Sequence, residues 1–177
     1  LPADNTTPDG LFIQNLFAQM VDERLTHAVM EVSSHALDLH RVCGVRFSTG
    51  VFTNLSDREH LDYHLTLESY RDAKARLFEM LPPDGCAVTS ADDPVGAYMA
   101  ARANCRRLTF GMQNPADVTA RLLRVDMNGT VYRLTTPHGT AEVRSALVGG
   151  FNVMNDLAAA ASGVAAGASI ESIVDGL

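Results

Sequence analysis

The sequence predicts an α/β fold, a mostly parallel sheet flanked by helices with a small antiparallel β meander near its end. Three observations carry the prediction. Apolar runs short enough for strands alternate with helical periodicities up to residue 111, the pattern of parallel strands with helices on their faces. Two of those runs, HAVMEVSS (27–34) and FSTGVFTNL (47–55), are short and largely continuous, as in strands buried on both sides. Three extended runs then follow one another at 118–127, 130–136 and 140–148, the first pair joined by Asn128-Gly129, a strong hairpin signal. Of the 177 residues 46% are apolar and 20% charged, enough to bury a core without disulfides and too apolar for a disordered chain. No repeat or low-complexity linker interrupts them, so the sequence reads as one domain.

The elements follow in order. A first helix is expected over 6–20, with Thr6 or Thr7 as N-cap, Pro8 in the first turn and Leu11, Phe12, Leu16 and Met20 on one face. After the strand at 27–34, residues 34–39 make a short helical turn. The clearest helix spans 66–81, capped by Thr66 and stopped by Pro82-Pro83. A strand at 86–90, a helix at 94–103 and a strand at 106–111 complete the alternation. After the meander and Gly149-Gly150, an Ala-rich helix covers 152–166.

Charge and cysteine content narrow the function classes. A net charge of -7 argues against a nucleic-acid partner, which calls for a basic patch. Anionic ligands then depend on a few local donors rather than on the field of the whole chain. No apolar run is long enough to cross a membrane. Cys43, Cys86 and Cys105 are odd in number and widely spaced, which predicts buried free thiols in a reducing cytoplasm.

Several polar residues sit where structure alone does not ask for them. Glu31 ends the apolar run Ala28-Val29-Met30, and ligands of open α/β sheets bind beyond the carboxyl ends of strands. Its carboxylate either reaches solvent or offers Mg²⁺ a hard oxygen. Lys74 lies in the middle of the helical stripe Leu67, Tyr70, Lys74, Leu77 and Leu81. It either snorkels to water or occupies a polar pocket, where a neutral amine can add carbon dioxide and become a carbamate. His60, Asp62 and His64 cluster in REHLDYH as a solvated loop or as metal-binding imidazoles, although the H-E-x-x-H glutamate is absent. Asn5, Thr6 and Thr7 precede the first helix as ordinary caps or as an anion site. Ser33, Ser34, His35 and Arg41 follow the Glu31 strand end. They lack the G-x-S-x-G elbow of a serine hydrolase, while Arg41 suits a carboxylate or phosphate. Asn152 and Asn155 open the last helix as caps or as contacts to a nucleotide.

Six segments in order, NTTPDG (5–10), MEVSSHALDLHRV (30–42), FTNLSDREHLDYH (52–64), YRDAKARLF (70–78), ADDPVG (91–96) and GGFNVMNDLAAA (149–160), resemble the Mur ligase family. The branch they are most similar to adds a diamino acid, meso-diaminopimelate or L-lysine, to UDP-N-acetylmuramoyl-L-alanyl-D-glutamate in peptidoglycan precursor synthesis. The resemblance implies the central ATP-binding domain of a three-domain cytoplasmic ligase, active as a monomer without nucleic-acid or membrane partners. ATP would phosphorylate the D-glutamate carboxylate, and the diamino acid's amine would attack the acyl phosphate. It further implies that Asn5, Thr6, Thr7, Ser33 and Arg41 contact the muramyl dipeptide. Glu31, His60 and a carbamylated Lys74 would hold Mg²⁺ and be catalytic, and Asn152 and Asn155 would contact ATP.

The sequence also departs from the family pattern. Leu39 stands where some members carry Gln, the stretch before His60 is one residue longer than usual, and Leu65 replaces a common glycine after HLDYH. No G-x-x-G-K-[ST] phosphate loop occurs. The expectation is therefore a chain truncated upstream of that loop, without N- and C-terminal domains and inactive alone. Two other readings remain: a related ligase of the folylpolyglutamate or cyanophycin synthetase type, and a non-catalytic muramyl-peptide-binding module.

Overall fold

The structure, a computed structural model, describes residues 5–56 and 61–177, with Leu61 and Asp62 described by their backbone. The chain forms two compact units, one from Leu1–Arg46 and Asp57–Leu77, the other from Phe47–Ser56 and Phe78–Leu177.

The second unit is built on one six-stranded sheet: β1 (Thr49–Phe52), β2 (Cys86–Ser90), β3 (Arg106–Gly111), β4 (Val118–Asp126), β5 (Gly129–Thr136) and β6 (Gly139–Ser145), side by side in chain order. Strands β1 to β4 pair in parallel, while β4/β5 and β5/β6 are antiparallel. The meander therefore continues the main sheet through β4. Register aligns Val51 with Val88 and Val88 with Leu108, so an apolar row runs across β1 to β3. Every residue of β2 is buried, as the continuous apolar run requires of a strand covered on both faces.

Helix α6 (Gly150–Ala165) packs against β1 to β5, and α7 (Ile170–Gly176), which the sequence reading missed, packs on β6. Ala158, Ala160 and Ala161 are buried among Val88, Phe110, Tyr132 and Leu134; their small side chains let the helix approach the strands closely. The Tyr132 hydroxyl donates to buried Asp156 at 3.0 Å, giving this carboxylate a partner inside the core. Burial beside Asp156 pushes the Tyr132 phenol far above its ordinary range. Helix α5 (Gly96–Arg102) packs on β2 so closely that a Cβ on Gly96 would lie 1.9 Å from the Ser90 carbonyl oxygen.

Two consecutive aspartates close the β2 end of this unit. Asp92 accepts backbone N–H bonds from Met112, Gln113 and Asn114. Asp93 accepts from Leu55 at 3.0 Å and from Val95 at 2.8 Å. Burial acts to raise the Asp92 pKa, but the three N–H donors outweigh it and hold the carboxyl below its usual range.

The first unit holds α1 (Gly10–Asp22), α2 (Ser34–Asp38), α3 (Leu61–His64) and the start of α4 (Leu67–Glu79). Helix α1 begins later than expected, because Asp9 rather than Thr6 or Thr7 caps it, accepting from Phe12 N at 2.9 Å. Its covered face carries Ile13, Leu16, Phe17 and Met20, leaving Leu11 and Phe12 exposed. The strand expected at 27–34 does not form: the segment before α2 has no ladder partner among the described residues, and Val29 is fully exposed. Apolar content suits a buried strand, but only a neighbouring strand can satisfy its backbone. Thr66 caps α4 as expected, accepting from Ser69 N at 3.1 Å. The expected stripe holds at Tyr70 in α4 and at Leu81, buried two residues past the helix end; Leu67 is exposed and Lys74 and Leu77 are half-buried. Of the three thiols only Cys86 is buried; Cys43 is exposed and Cys105 half-exposed, which corrects the expectation for those two.

Leu65 joins α3 to α4 with φ at +63° and its side chain 81% exposed. A non-glycine residue there is strained by roughly 1 kcal/mol or more, with no packing to offset it.

Two stability predictions follow from these geometries. Leu65→Gly should raise stability by about 0.5–1 kcal/mol in urea unfolding, the strain relief being partly offset by added unfolded-state entropy; an unchanged or lower midpoint refutes the strain. Asp92→Asn should cost about 1–3 kcal/mol, since a neutral amide is a weaker acceptor for three N–H groups. Because the folded Asp92 pKa is depressed, the parent's advantage is fully present above the unfolded aspartate range. It is lost as the pH falls through the folded value; an advantage that persists undiminished in strong acid would contradict it.

Candidate functional site

In the first unit a buried threonine hydroxyl organises the site. Thr7 Oγ1 donates to the Glu31 carbonyl at 2.9 Å and accepts from Ser33 N at 2.9 Å. It also lies 3.4 Å from Ser33 Oγ. Arg41 reaches back across 34 residues of sequence, its Nη1 donating to the Thr7 carbonyl at 3.2 Å. Ser33 in turn caps α2, accepting from Ala36 N at 3.2 Å. Thr7, Ser33 and Arg41 are thus brought together with the main chain of Glu31, whose side chain is exposed. Asn5 and Thr6, also exposed, lead into this network. The remaining guanidinium donors of Arg41 have no partner among the described residues, which leaves its planar fork open to a carboxylate or phosphate.

Beside this network lies an imidazole and phenol cluster. His64, read from sequence as part of a solvated loop or as a metal-binding imidazole, is buried rather than solvated, with Nε2 2.9 Å from the Ser34 hydroxyl. Its ring stacks on Tyr70 at 5.3 Å and meets Tyr63 edge-on at 4.8 Å. Asp38, the last residue of α2, accepts from Tyr63 at 2.9 Å and pairs with Arg76 at 2.9 Å, joining α2, α3 and α4. The Tyr63 hydrogen bond, with Arg76, holds the Asp38 carboxyl below its usual range despite some desolvation. Lys74 Nζ lies over the Tyr70 ring, 5.1 Å from its centre. His60 lies outside the described residues, as does the Asp62 side chain. Among the described residues no group of three or more His, Cys, Asp or Glu is arranged to hold a metal. Within this unit, Glu31 offers an exposed hard-oxygen donor held at its main chain by Thr7.

The second unit carries a cavity of about 230 Å³ at the carboxyl ends of its parallel strands. Thr53 and Asn54 line it just after β1, Ser90 at the end of β2 and Phe110 near the end of β3; Phe151 and Asn155 come from the first turns of α6. This is where ligands of open α/β sheets bind. Asn155 lines the cavity; Asn152 does not, its amide donating to the Val148 carbonyl at 3.0 Å. Neither asparagine caps α6, whose N-cap is Gly149 at φ +96°. Sequence reasoning gave no role to Asn54, Asp93 or Phe151. Two signals were available: TNL closing an apolar run, and paired aspartates one residue after CAVTS.

The comparisons with known proteins agree with this geometry. Residues 2–163 match the Mur ligase middle domain. Two relatives named UDP-N-acetylmuramoyl-L-alanyl-D-glutamate--2,6-diaminopimelate ligase, from Geobacillus kaustophilus and Bacillus velezensis, are 47% and 45% identical. Each alignment covers 99% of this chain and 37% of the relative, so the chain spans little more than a third of their length. A solved structure bearing the same ligase name superposes with a TM-score of 0.85 at 36% identity, covering 94% of this chain and 35% of the other. No helix among the described residues is long and apolar enough to cross a membrane. With matching motifs, profile and fold, the chain belongs to the Mur ligase family.

Proposed function

We propose that this chain is the middle, ATP-binding part of a ligase that joins a diamino acid to UDP-N-acetylmuramoyl-L-alanyl-D-glutamate. The relatives' names favour diaminopimelate as that diamino acid. The proposal includes a cytoplasmic, monomeric protein with no nucleic-acid or membrane partner. The observation that supports it is the Thr7, Ser33 and Arg41 network, which fixes one arm of the Arg41 guanidinium fork among residues of the family motif.

In this reading the γ-phosphoryl group of ATP passes to a carboxylate oxygen of the D-glutamyl residue, giving an acyl phosphate and ADP. The diamino acid's amine attacks the acyl carbon, the amide bond forms and phosphate leaves. Asn5, Thr6, Thr7, Ser33 and Arg41 orient the muramyl dipeptide, Arg41 by its free guanidinium donors. Glu31, His60 and Lys74, the last as a carbamate, are the residues that would hold Mg²⁺. When bound, the ion neutralises charge on the transferring phosphoryl group. Asn155 contacts the nucleotide from the cavity wall, and Asn152 supports that helix start through Val148.

Calorimetry with UDP-N-acetylmuramoyl-L-alanyl-D-glutamate, with and without Mg²⁺, tests the dipeptide half. Arg41→Lys should weaken binding roughly 10-fold or more, because a point charge does not replace a planar fork; equal affinity removes Arg41 from the site. Asn155→Ala should weaken titrated ATP several-fold and leave the dipeptide titration unchanged; loss of both together would point to misfolding. The sequence has no G-x-x-G-K-[ST] run, so this chain by itself should bind without turning ATP over. Amide formation by the isolated chain would overturn that expectation.

A further inference from the structure

Lys74 is the sole lysine of the sequence, every other basic side chain of the Lys/Arg class being arginine. A lysine side chain carries about 2 kcal/mol of rotamer entropy, so a lysine that must present its amine at one place needs something to hold it. We propose that Ser34, His64 and Tyr70 form a brace that fixes the resting direction of the Lys74 amine, with Tyr70 as the positioning residue. The functional meaning of the brace rests on the reading of Lys74 as the residue that becomes a carbamate.

Tyr70 and Lys74 are one turn apart on α4, neighbours on the same helix face. The Lys74 amine lies over the ring, 5.1 Å from its centre, within the range where a cation is attracted to an aromatic face. A ring can position a flexible arm only if it is itself immobile. Tyr70 is 2% exposed, and His64 stacks on it at 5.3 Å with 24° between the planes. The imidazole is held by the Ser34 hydroxyl at 2.9 Å and by the edge of Tyr63, whose own hydroxyl is tied to Asp38. The chain of contacts therefore runs Ser34, His64, Tyr70, Lys74, from the first residue of α2 to the middle of α4.

Ser33 and Ser34 divide two tasks between neighbouring positions. Ser33 caps α2 and bonds to the Thr7 network. Ser34, 1% exposed, turns to His64 and the brace. A face of π electrons attracts an ammonium and repels an anion. The ring face therefore suits the arm as an ammonium and not as a carbamate. On carbamylation the amine loses a proton and its nitrogen bonds to the carbon of CO₂, a second proton is released, and the anionic arm is freed from the ring.

The single lysine makes this testable by NMR of the chain labelled with [¹³Cε]-lysine, in which one ε resonance appears. In bicarbonate-free buffer that resonance should be displaced upfield by the Tyr70 ring current. Tyr70→Phe should keep the displacement and Tyr70→Leu should abolish it. Ser34→Ala, a mild change that keeps the test valid if the leucine variant fails to fold, should reduce the displacement by at least about half. Melting curves establish that each variant is folded. A parent resonance at the free-lysine position overturns the brace, and so does a folded Ser34→Ala variant indistinguishable from the parent. Adding ¹³C-bicarbonate tests the underlying reading separately. A carbamate carbon on Lys74 supports it, and its absence with the ring-current displacement intact defeats the carbamate while the brace stands.

Discussion

The hydroxyl of Thr7 is the contact on which the described site of the first unit depends. It is fully buried, donating to the irregular segment before α2 at Glu31 and accepting from the same segment two residues later. Those bonds hold Glu31 and Ser33 in a segment with no ladder partner among the described residues to hold it. A buried hydroxyl or amide left unpaired costs about 1–3 kcal/mol, so each group here stabilises the other by satisfying it. The Arg41 bond to the Thr7 carbonyl then sets where the guanidinium stands.

From that point the geometry spreads through α2. Ser33 caps it, Ser34 steadies His64 and Asp38 at its far end gathers Tyr63 and Arg76. A helix of five residues has too few internal bonds to be stable alone. It persists because Ser33 and Ser34 at one end and Asp38 at the other are bonded to other elements. Its short length places the Ser33 cap, the Ser34 anchor and the Asp38 clamp within one and a half turns.

The second unit solves a different problem, leaving a cavity at the end of a tightly packed sheet. Alanines in α6 and Gly96 in α5 bring helices close to the strands. The loops beyond the strands are then held by carboxylates that accept backbone N–H bonds, Asp92 on the turn after β3 and Asp93 on the segment after β1. These bonds keep the lips in place without filling the space that Asn54, Phe151 and Asn155 line.

Much of this was legible in the sequence alone. The strands β1 to β6, the Asn128-Gly129 hairpin, the short turn at α2 and the Thr66 cap follow from local rules: apolar run length, turn chemistry and hydrogen-bonding side chains one turn away. The motif residues Thr7, Ser33, Arg41 and Asn155 were also marked, and Leu65 stood out as a departure from a glycine. What the sequence could not decide was which partner a residue would find at long range. Thr7 reads as a helix cap, but it is claimed by residues 31 and 33, and Asp9 takes the cap. HAVMEVSS has the composition of a buried strand, yet burial belongs to the neighbours and not to the run. His64 reads as a solvated or metal-binding imidazole, and the fold buries it against Ser34 and Tyr70. Local propensity acts over a few residues and is written in them; hydrogen-bond satisfaction and burial are settled by whatever the fold brings near, which only the tertiary structure decides.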